Sequence, residues 1–164
     1  MRILIAILAA TSALHCAQAG LSDLEALSLI ESGGNDRAIG RAGEVSRFQI
    51  LPGVWRSYTK SREYQSRWLA AEVARQHLGV LKDGFARQTG RHATDFDVYV
   101  MWNAGLGYYR QQGFDPRRVH RVIRERAGRF VNLKRYSPMT QPTFASAGTW
   151  PVASRPDSSL LTPR

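Results

Sequence analysis

Glu31 is the residue of this sequence whose position best suits acid–base chemistry. It ends an apolar repeat with helical spacing (Leu24, Leu27, Ile30) and precedes a Gly–Gly pair. A carboxyl group there has the core on one side and a loop on the other, and partial burial raises its pKa toward values at which it donates a proton at neutral pH. Cleavage of a glycosidic bond needs such a donor, because the leaving oxygen departs poorly until it is protonated. The other interpretation of Glu31 is an ordinary solvated residue at a helix end.

Glu44 is a second carboxylate, in the loop that follows Glu31. It could activate water or act as a nucleophile, which would make the reaction hydrolytic. Alternatively, it is a solvated loop acid paired with Arg41 or Arg47. Sequence spacing does not give the separation of the two carboxyl groups, so both interpretations remain open.

Five helical segments must position these groups. A capping box at Ser22 and Glu25 starts the first helix, and Gly33 with Gly34 stops it. The other predicted starts are Pro52, Ser66, Thr94 and Asp115, and the third helix extends to about Gln88. Residues 35–50 are irregular, with at most short strands. The sequence therefore predicts a mainly α, single-domain protein with a short irregular or minimal β region.

Two tryptophans, Trp55 and Trp68, lie at helical positions that predict core packing. In the last helix the predicted apolar face consists of Val119, Val122, Ile123, Ala127 and Phe130. These assignments rest on periodicity alone.

The charge of the chain predicts an anionic partner. The 164 residues include 23 Lys and Arg against 13 Asp and Glu, a net charge of +10, and all but three of the basic residues are arginines. The planar guanidinium group suits carboxylates and phosphates, so nucleic acid and an acidic polymer of the cell envelope both fit. The single cysteine excludes a disulfide framework. His77, His92 and His120 are too scattered to predict a metal site, and we expect ordinary surface or boundary histidines.

Residues 1–19 have the form of a signal peptide. Arg2 precedes an apolar run, and Ala17 and Ala19 form a small-x-small cleavage site. The alternatives are an uncleaved anchor or a buried first helix. Cleavage would remove the only cysteine, leave a net charge of +9, and argue against a nucleic-acid partner. We expect an exported protein of the periplasm or cell envelope, with no stable membrane insertion after cleavage.

Residues 134–164 are rich in Pro, Ser and Thr and have no apolar period, which predicts a flexible tail. The predicted organisation is therefore a signal peptide at 1–19, a folded domain at 20–133 and a tail at 134–164.

Three motifs occur in one order along this domain. Glu31 and Ser32 begin the run E-S-G-G-N, Gln49 lies in F-Q-I-L-P, and Trp102 with Asn103 lies in W-N-A-G. This set resembles the soluble lytic transglycosylase family of lysozyme-like enzymes, over most of residues 24–133. The resemblance implies a lysozyme-like helical fold and, as substrate, the glycan strands of peptidoglycan.

The mechanism that the resemblance implies uses one carboxylate twice. Glu31 would protonate the oxygen between N-acetylmuramic acid and N-acetylglucosamine. It would then take a proton from the muramic acid 6-hydroxyl, which attacks the anomeric carbon and leaves a 1,6-anhydro end. No metal or cofactor is implied, and we expect none.

The resemblance also implies supporting roles. Gln49 would line the sugar groove, and Asn103 would bind an N-acetyl group or orient the acid. Ser32 would hydrogen-bond near Glu31 or cap the helix end. The alternatives are a turn-stabilising Gln49 and an Asn103 that simply ends its helix. The candidates for stacking on sugar rings are Trp102, Tyr108 and Tyr109.

The sequence departs from the family pattern at three positions. Trp102 replaces a usual Tyr, Ser46 replaces a Gly, and Phe130 stands at the place of a late Tyr. If that Tyr hydroxyl tunes the acid, Phe130 cannot do so. Tyr99, Tyr108 and Tyr109 are the candidates to replace it, and the sequence does not choose among them.

Three functions follow as hypotheses. The leading one is a lytic transglycosylase. The second is a hydrolytic muramidase using Glu31 and Glu44, and the third is a non-catalytic peptidoglycan-binding module. For each we expect a monomer that binds peptidoglycan and no nucleic acid.

Overall fold

The computed structural model describes residues 20–135, so the predicted signal peptide and residues 136–164 of the predicted tail lie outside the described residues. The five α-helices of the described part are α1 (Asp23–Ser32), α2 (Pro52–Arg56), α3 (Arg67–Thr89), α4 (Asp95–Gln111) and α5 (Arg121–Arg135). The mainly helical, single-domain fold class is confirmed. No helix among these residues is both long and apolar enough to cross a bilayer.

Helix α1 begins and ends where the sequence predicts. The Ser22 hydroxyl accepts from the Glu25 amide, and the Glu25 carboxylate accepts from the Ser22 amide at 2.8 Å. Gly33 ends the helix in the left-handed conformation (φ 64°), which glycine adopts without steric cost, and its amide donates to the Leu29 carbonyl. These two ends place Glu31 in the last turn.

Helices α3, α4 and α5 pack around the core with α1 against them. The largest fully buried side chains include Trp55, Tyr99, Tyr109, Phe85 and Phe130. The prediction for Trp55 is confirmed, but that for Trp68 is wrong, because this side chain is 76% exposed. Trp68 precedes the buried Val73 by five residues, which at about 100° per residue turns it roughly 140° from the core face.

The last helix differs from its prediction at both ends. Asp115 caps only a short 3₁₀ helix, Pro116–Arg118, and α5 begins at Arg121. Val122, predicted on the apolar face, is exposed.

At its C-terminal end, α5 runs past the predicted boundary at residue 133, because Lys134 forms ion pairs with Asp23 and Asp95. A cation in the last turn also suits the helix dipole. Lys134 and Arg135 therefore belong to the folded domain.

Helix α4 contains a break at Gly105. Its φ of 85° and ψ of 153° lie in a region that essentially only glycine occupies. The sequence predicts a helix end near Asn103, whereas the chain resumes a helical path and continues to Gln111. Side chains after Gly105 therefore do not continue the regular helical rotation of the side chains before it.

The loop between α1 and α2 contains minimal β structure, as predicted. Its only regular pairings in the described part of the chain are two isolated antiparallel bridges, Ile39 with Val45 and Val45 with Ile50. Val45, Phe48 and Ile50 are buried and anchor the loop to the helices.

Candidate active site

Glu31 lies in a groove formed by the end of α1, the loop that follows it, and helices α2, α3, α4 and α5. Its side chain is only 7% exposed, and the groove has a volume of about 320 Å³. This volume is at the lower end of the range typical of small-molecule sites. The structure therefore presents one nearly buried carboxyl group to a groove large enough for a ligand.

Two helices supply the polar partners of Glu31. Tyr99 of α4 donates its hydroxyl to Glu31 Oε1 at 2.8 Å. Arg126 of α5 brings Nη2 to 3.5 Å from Glu31 Oε2. Each carboxylate oxygen thus has one neighbour, and the two contacts orient the group.

The pKa of Glu31 is raised. Burial is the largest cause, because desolvation disfavours the charged form. The Tyr99 hydrogen bond and the positive charge of Arg126 lower the pKa, whereas the negative charge of Glu44 raises it further. The net upward direction favours a protonated acid closer to neutral pH, as a general acid requires.

Tyr99 brings to Glu31 the phenol hydroxyl that Phe130 lacks. The two rings pack together, with centroids 5.4 Å apart, and both side chains are fully buried. Of the three tyrosines that the sequence left as candidates, Tyr99 is the one that contacts Glu31. The hydroxyl at the carboxylate therefore comes from α4 and not from α5, the helix that contains Phe130.

Three predicted site residues line the groove with Glu31. They are Gln49, Trp102 and Asn103. The Gln49 side chain is fixed, because its Nε2 donates to the Ser46 carbonyl at 3.0 Å. The amide oxygen of Gln49 remains as an acceptor, while Asn103 is exposed and offers both donors and acceptors.

Glu44 also lines the groove. Its Oε2 accepts from the Ala42 amide at 2.9 Å. The alternative of an ion pair with Arg47 is wrong, because Arg47 pairs with Asp36 at 2.8 Å. Among residues 20–135 no ion pair joins Glu44 to Arg41 either. Glu44 is therefore a loop acid held by a backbone amide within reach of the groove.

Gly40 separates the side chains of Glu44 and Gln49. A Cβ atom at this position would overlap with Glu44 Oε2, and it would lie 2.5 Å from Gln49 Oε1. A larger residue here would therefore force the ends of the Glu44 and Gln49 side chains to move.

His77 of α3 is a groove residue that sequence reasoning missed. Its Nδ1 lies 3.0 Å from the Tyr58 hydroxyl, and its ring centroid lies 5.5 Å from that of Trp102. Burial lowers the pKa of His77, which favours the neutral ring. The expected surface or boundary histidine therefore supports Trp102 at one end of the groove.

Ser32 and the two tyrosines that the sequence offers for sugar stacking have structural contacts outside the groove. Ser32 is not a groove residue: its hydroxyl donates to the Arg47 carbonyl at 2.8 Å and holds the loop to α1. Tyr108 accepts from the His120 amide at 2.9 Å. Tyr109 is fully buried and donates to Asp97 at 2.6 Å. Neither tyrosine lines the groove.

Arg126 is the other contact that the sequence did not predict. It lies in a strongly basic helix, where its residue type does not distinguish it from the arginines around it. Only its proximity to buried Ala127 and Phe130 indicates that it could face inward.

Ser46 occupies the position at which the resembled family has glycine. Its φ is 65°, a left-handed value that costs a non-glycine residue roughly 1–2 kcal/mol. Its side chain is buried, and its hydroxyl accepts from the Phe48 amide at 3.3 Å. The backbone turn therefore keeps the shape that a glycine would permit, with a local hydrogen bond that partly offsets the strain.

No family model, curated protein or solved structure matches this chain. Within residues 20–135 no group of three His, Cys, Asp or Glu side chains is placed to hold a metal ion.

Proposed function

We propose that this protein is a lytic transglycosylase that cleaves the bond between N-acetylmuramic acid and N-acetylglucosamine in peptidoglycan. The observation that carries this proposal is the Glu31 carboxyl group, nearly buried at a groove and held by Tyr99, with a raised pKa. The ordered motif residues Gln49, Trp102 and Asn103 around it support the same substrate class.

The reaction proceeds with Glu31 as the single acid and base. Protonated Glu31 donates its proton to the glycosidic oxygen, and the bond from this oxygen to the anomeric carbon of the muramic acid breaks. The carboxylate then removes the proton from the 6-hydroxyl of the same sugar, whose oxygen bonds to the anomeric carbon. Glu31 ends protonated, as it began, and no water is consumed.

The surrounding residues bind and orient the sugar. Trp102 presents an aromatic ring, supported by His77, on which the apolar face of a sugar can stack. The amides of Gln49 and Asn103 pair with acetamido and hydroxyl groups. We propose that the protein acts in the cell envelope after export, which agrees with its positive charge and the form of residues 1–19.

The second candidate function is hydrolysis by Glu31 and Glu44. The observation in its favour is that Glu44 lines the same groove and its charge raises the pKa of Glu31. In that reaction Glu44 would activate water or act as the nucleophile.

Product analysis distinguishes these functions. Protein lacking residues 1–19 is incubated with purified peptidoglycan sacculi, and the soluble muropeptides are analysed by mass spectrometry. A transglycosylase releases anhydro products, which are lighter than hydrolytic products by the mass of one water.

Three variants assign the roles. Glu31→Gln should lower the rate by about 10²- to 10⁴-fold, the usual contribution of a general acid. Glu44→Gln should retain activity if Glu31 acts alone, and Glu63→Gln, a surface substitution of the same type, should resemble wild type. Release of water-containing products that depends on Glu44 would favour the muramidase, and binding to sacculi without release would favour the binding module.

A further inference from the structure

A second cavity borders the catalytic groove on the surface of α5. Its lining consists of Ile30, Arg126, Arg129, Asn132 and Leu133, and its volume is about 690 Å³. The α5 residues in this list are three or four positions apart, so their side chains lie on one face of the helix. Ile30, the neighbour of Glu31 on α1, forms the opposite wall. We call this surface the α5 cavity.

The α5 cavity and the catalytic groove share one lining residue, Arg126. This side chain lines both cavities and is 33% exposed. Its Nη2 lies 3.5 Å from Glu31 Oε2, so the α5 cavity begins beside the acid. A group attached to a sugar in the groove is therefore within reach of α5.

Two arginines line the α5 cavity, and Arg126 is the one with a carboxylate partner among the described residues, Glu31 at 3.5 Å. Three other acidic residues on α5 or in contact with it are paired elsewhere: Glu125 with Arg121, and Asp23 and Asp95 with Lys134. Within the described part of the chain, Arg129 forms no ion pair with a carboxylate. An exposed guanidinium group is well suited to bind a carboxylate with two parallel hydrogen bonds.

We propose that the α5 cavity binds the carboxylate groups of the peptide that is attached to the muramic acid. This inference rests on the proposed function, because it takes the glycan strand as the ligand of the groove. Arg129 and Arg126 bind the carboxylates, Asn132 binds peptide amides, and Ile30 with Leu133 contacts the apolar parts of the peptide.

Charge complementarity favours this ligand over the remainder of the chain. Residues 136–164 contain a single acidic side chain, Asp157, against Arg155 and Arg164. A segment with one acidic and two basic side chains is not complementary in charge to two arginines, whereas a carboxylate-bearing peptide is.

Binding of two matched ligands tests the proposal. Glu31→Gln protein, whose turnover is strongly reduced, is titrated with a disaccharide muropeptide and with the same disaccharide in which a simple amide replaces the peptide on the lactyl group, so that no carboxylate remains. The peptide-bearing ligand should bind more tightly, and Arg129→Gln in the same background should weaken its binding by about threefold to tenfold. Arg129→Gln should leave the affinity for the peptide-free disaccharide unchanged. The preference for the peptide should decrease at high salt, because exposed charges are screened.

The control is Arg124→Gln, which removes the same charge from α5 at a position outside both cavities. Equal affinity for the two saccharides overturns the peptide site and leaves the proposed function in place. If neither saccharide binds and sacculi are not cleaved, both proposals fail. If polyphosphate competes at Arg129 and the free peptide does not, the α5 cavity is a phosphate site and the proposal is wrong.

Discussion

The hydroxyl of Tyr99 donates a hydrogen bond of 2.8 Å to Glu31, which joins the second turn of α4 to the end of α1 across 68 residues of sequence. The pKa of Tyr99 is itself raised, because burial and the adjacent negative charge disfavour the phenolate. Tyr99 therefore stays protonated at physiological pH. It acts as a fixed hydrogen-bond donor to the acid and not as a proton source.

Replacing Tyr99 by Phe should move the pH dependence of cleavage. The Tyr99 hydrogen bond lowers the pKa of Glu31, so its loss raises that pKa further. A hydrogen bond to a charged group contributes about 1.5–3 kcal/mol, which corresponds to a shift of roughly one pH unit or more. The alkaline limb of the rate profile, where the acid loses its proton, should move to higher pH. The measurement is the rate of muropeptide release as a function of pH.

The matched control is Tyr109→Phe. This tyrosine is also buried and also donates to a carboxylate, that of Asp97, but it lies outside the groove. Tyr109→Phe should lower the free energy of unfolding by about 1–3 kcal/mol and leave the alkaline limb in place. An equal shift of the limb in both variants would show that the effect of Tyr99 is on stability alone.

Glu31→Gln should stabilise the fold at pH values above the pKa that Glu31 has in the unfolded chain. At lower pH the substitution should have no such effect. Because the pKa of Glu31 is raised in the folded protein, its charged form is disfavoured there. The charged form of Glu31 therefore lowers the free energy of unfolding. This loss is absent at pH values below the unfolded-state pKa, grows as the pH rises through the folded-state pKa, and is complete above the folded-state pKa. Urea unfolding of wild type and variant at about pH 3.5 and about pH 8 measures the difference on either side of the usual carboxyl range. A gain that is equal at both pH values would contradict the assignment of the raised pKa.

Gly40→Ala should impair cleavage while the helical fold persists. The added methyl group overlaps with Glu44 and Gln49, so both side chains must move out of their positions over the backbone. We expect a higher KM or a lower kcat in assays with sacculi, and little change in the circular dichroism spectrum. The control is Gly53→Ala, since a Cβ atom there meets no other group. Wild-type kinetics for Gly40→Ala would show that these two side chains do not bind substrate.

Two tryptophan substitutions test the packing of the helices. Trp55 is fully buried, and its ring nitrogen donates to the Ser61 carbonyl at 2.8 Å, so Trp55→Ala should cost about 3–5 kcal/mol of unfolding free energy. Trp68→Ala should change it by about 0.5 kcal/mol or less, because its side chain is largely exposed. Denaturant unfolding of both variants provides the comparison. A large loss for Trp68→Ala would mean that this ring packs against the fold.

Local signals in the sequence predict the helix that carries Glu31. The capping box at Ser22 and Glu25 and the glycine at position 33 are complete within a few residues, so they specify both ends of α1 without reference to the rest of the chain. Gln49 and Asn103, which belong to the motif runs, line the groove with Glu31. Tyr108 and Tyr109 lie outside the groove: their hydroxyls contact the His120 amide and the Asp97 carboxylate, and the order of the motifs does not reveal these contacts.

The sequence by itself determined the helical class of the described domain and the position of Glu31 in the last turn of α1. Each of these depends on periodicity or on contacts between residues close in the chain. The tertiary structure alone decided which tyrosine binds the acid, that Arg126 and His77 join the groove, and that Trp68 faces solvent. These features depend on how α3, α4 and α5 pack against α1. A pKa raised by burial is a property of that packing, because desolvation comes from atoms that are distant in sequence.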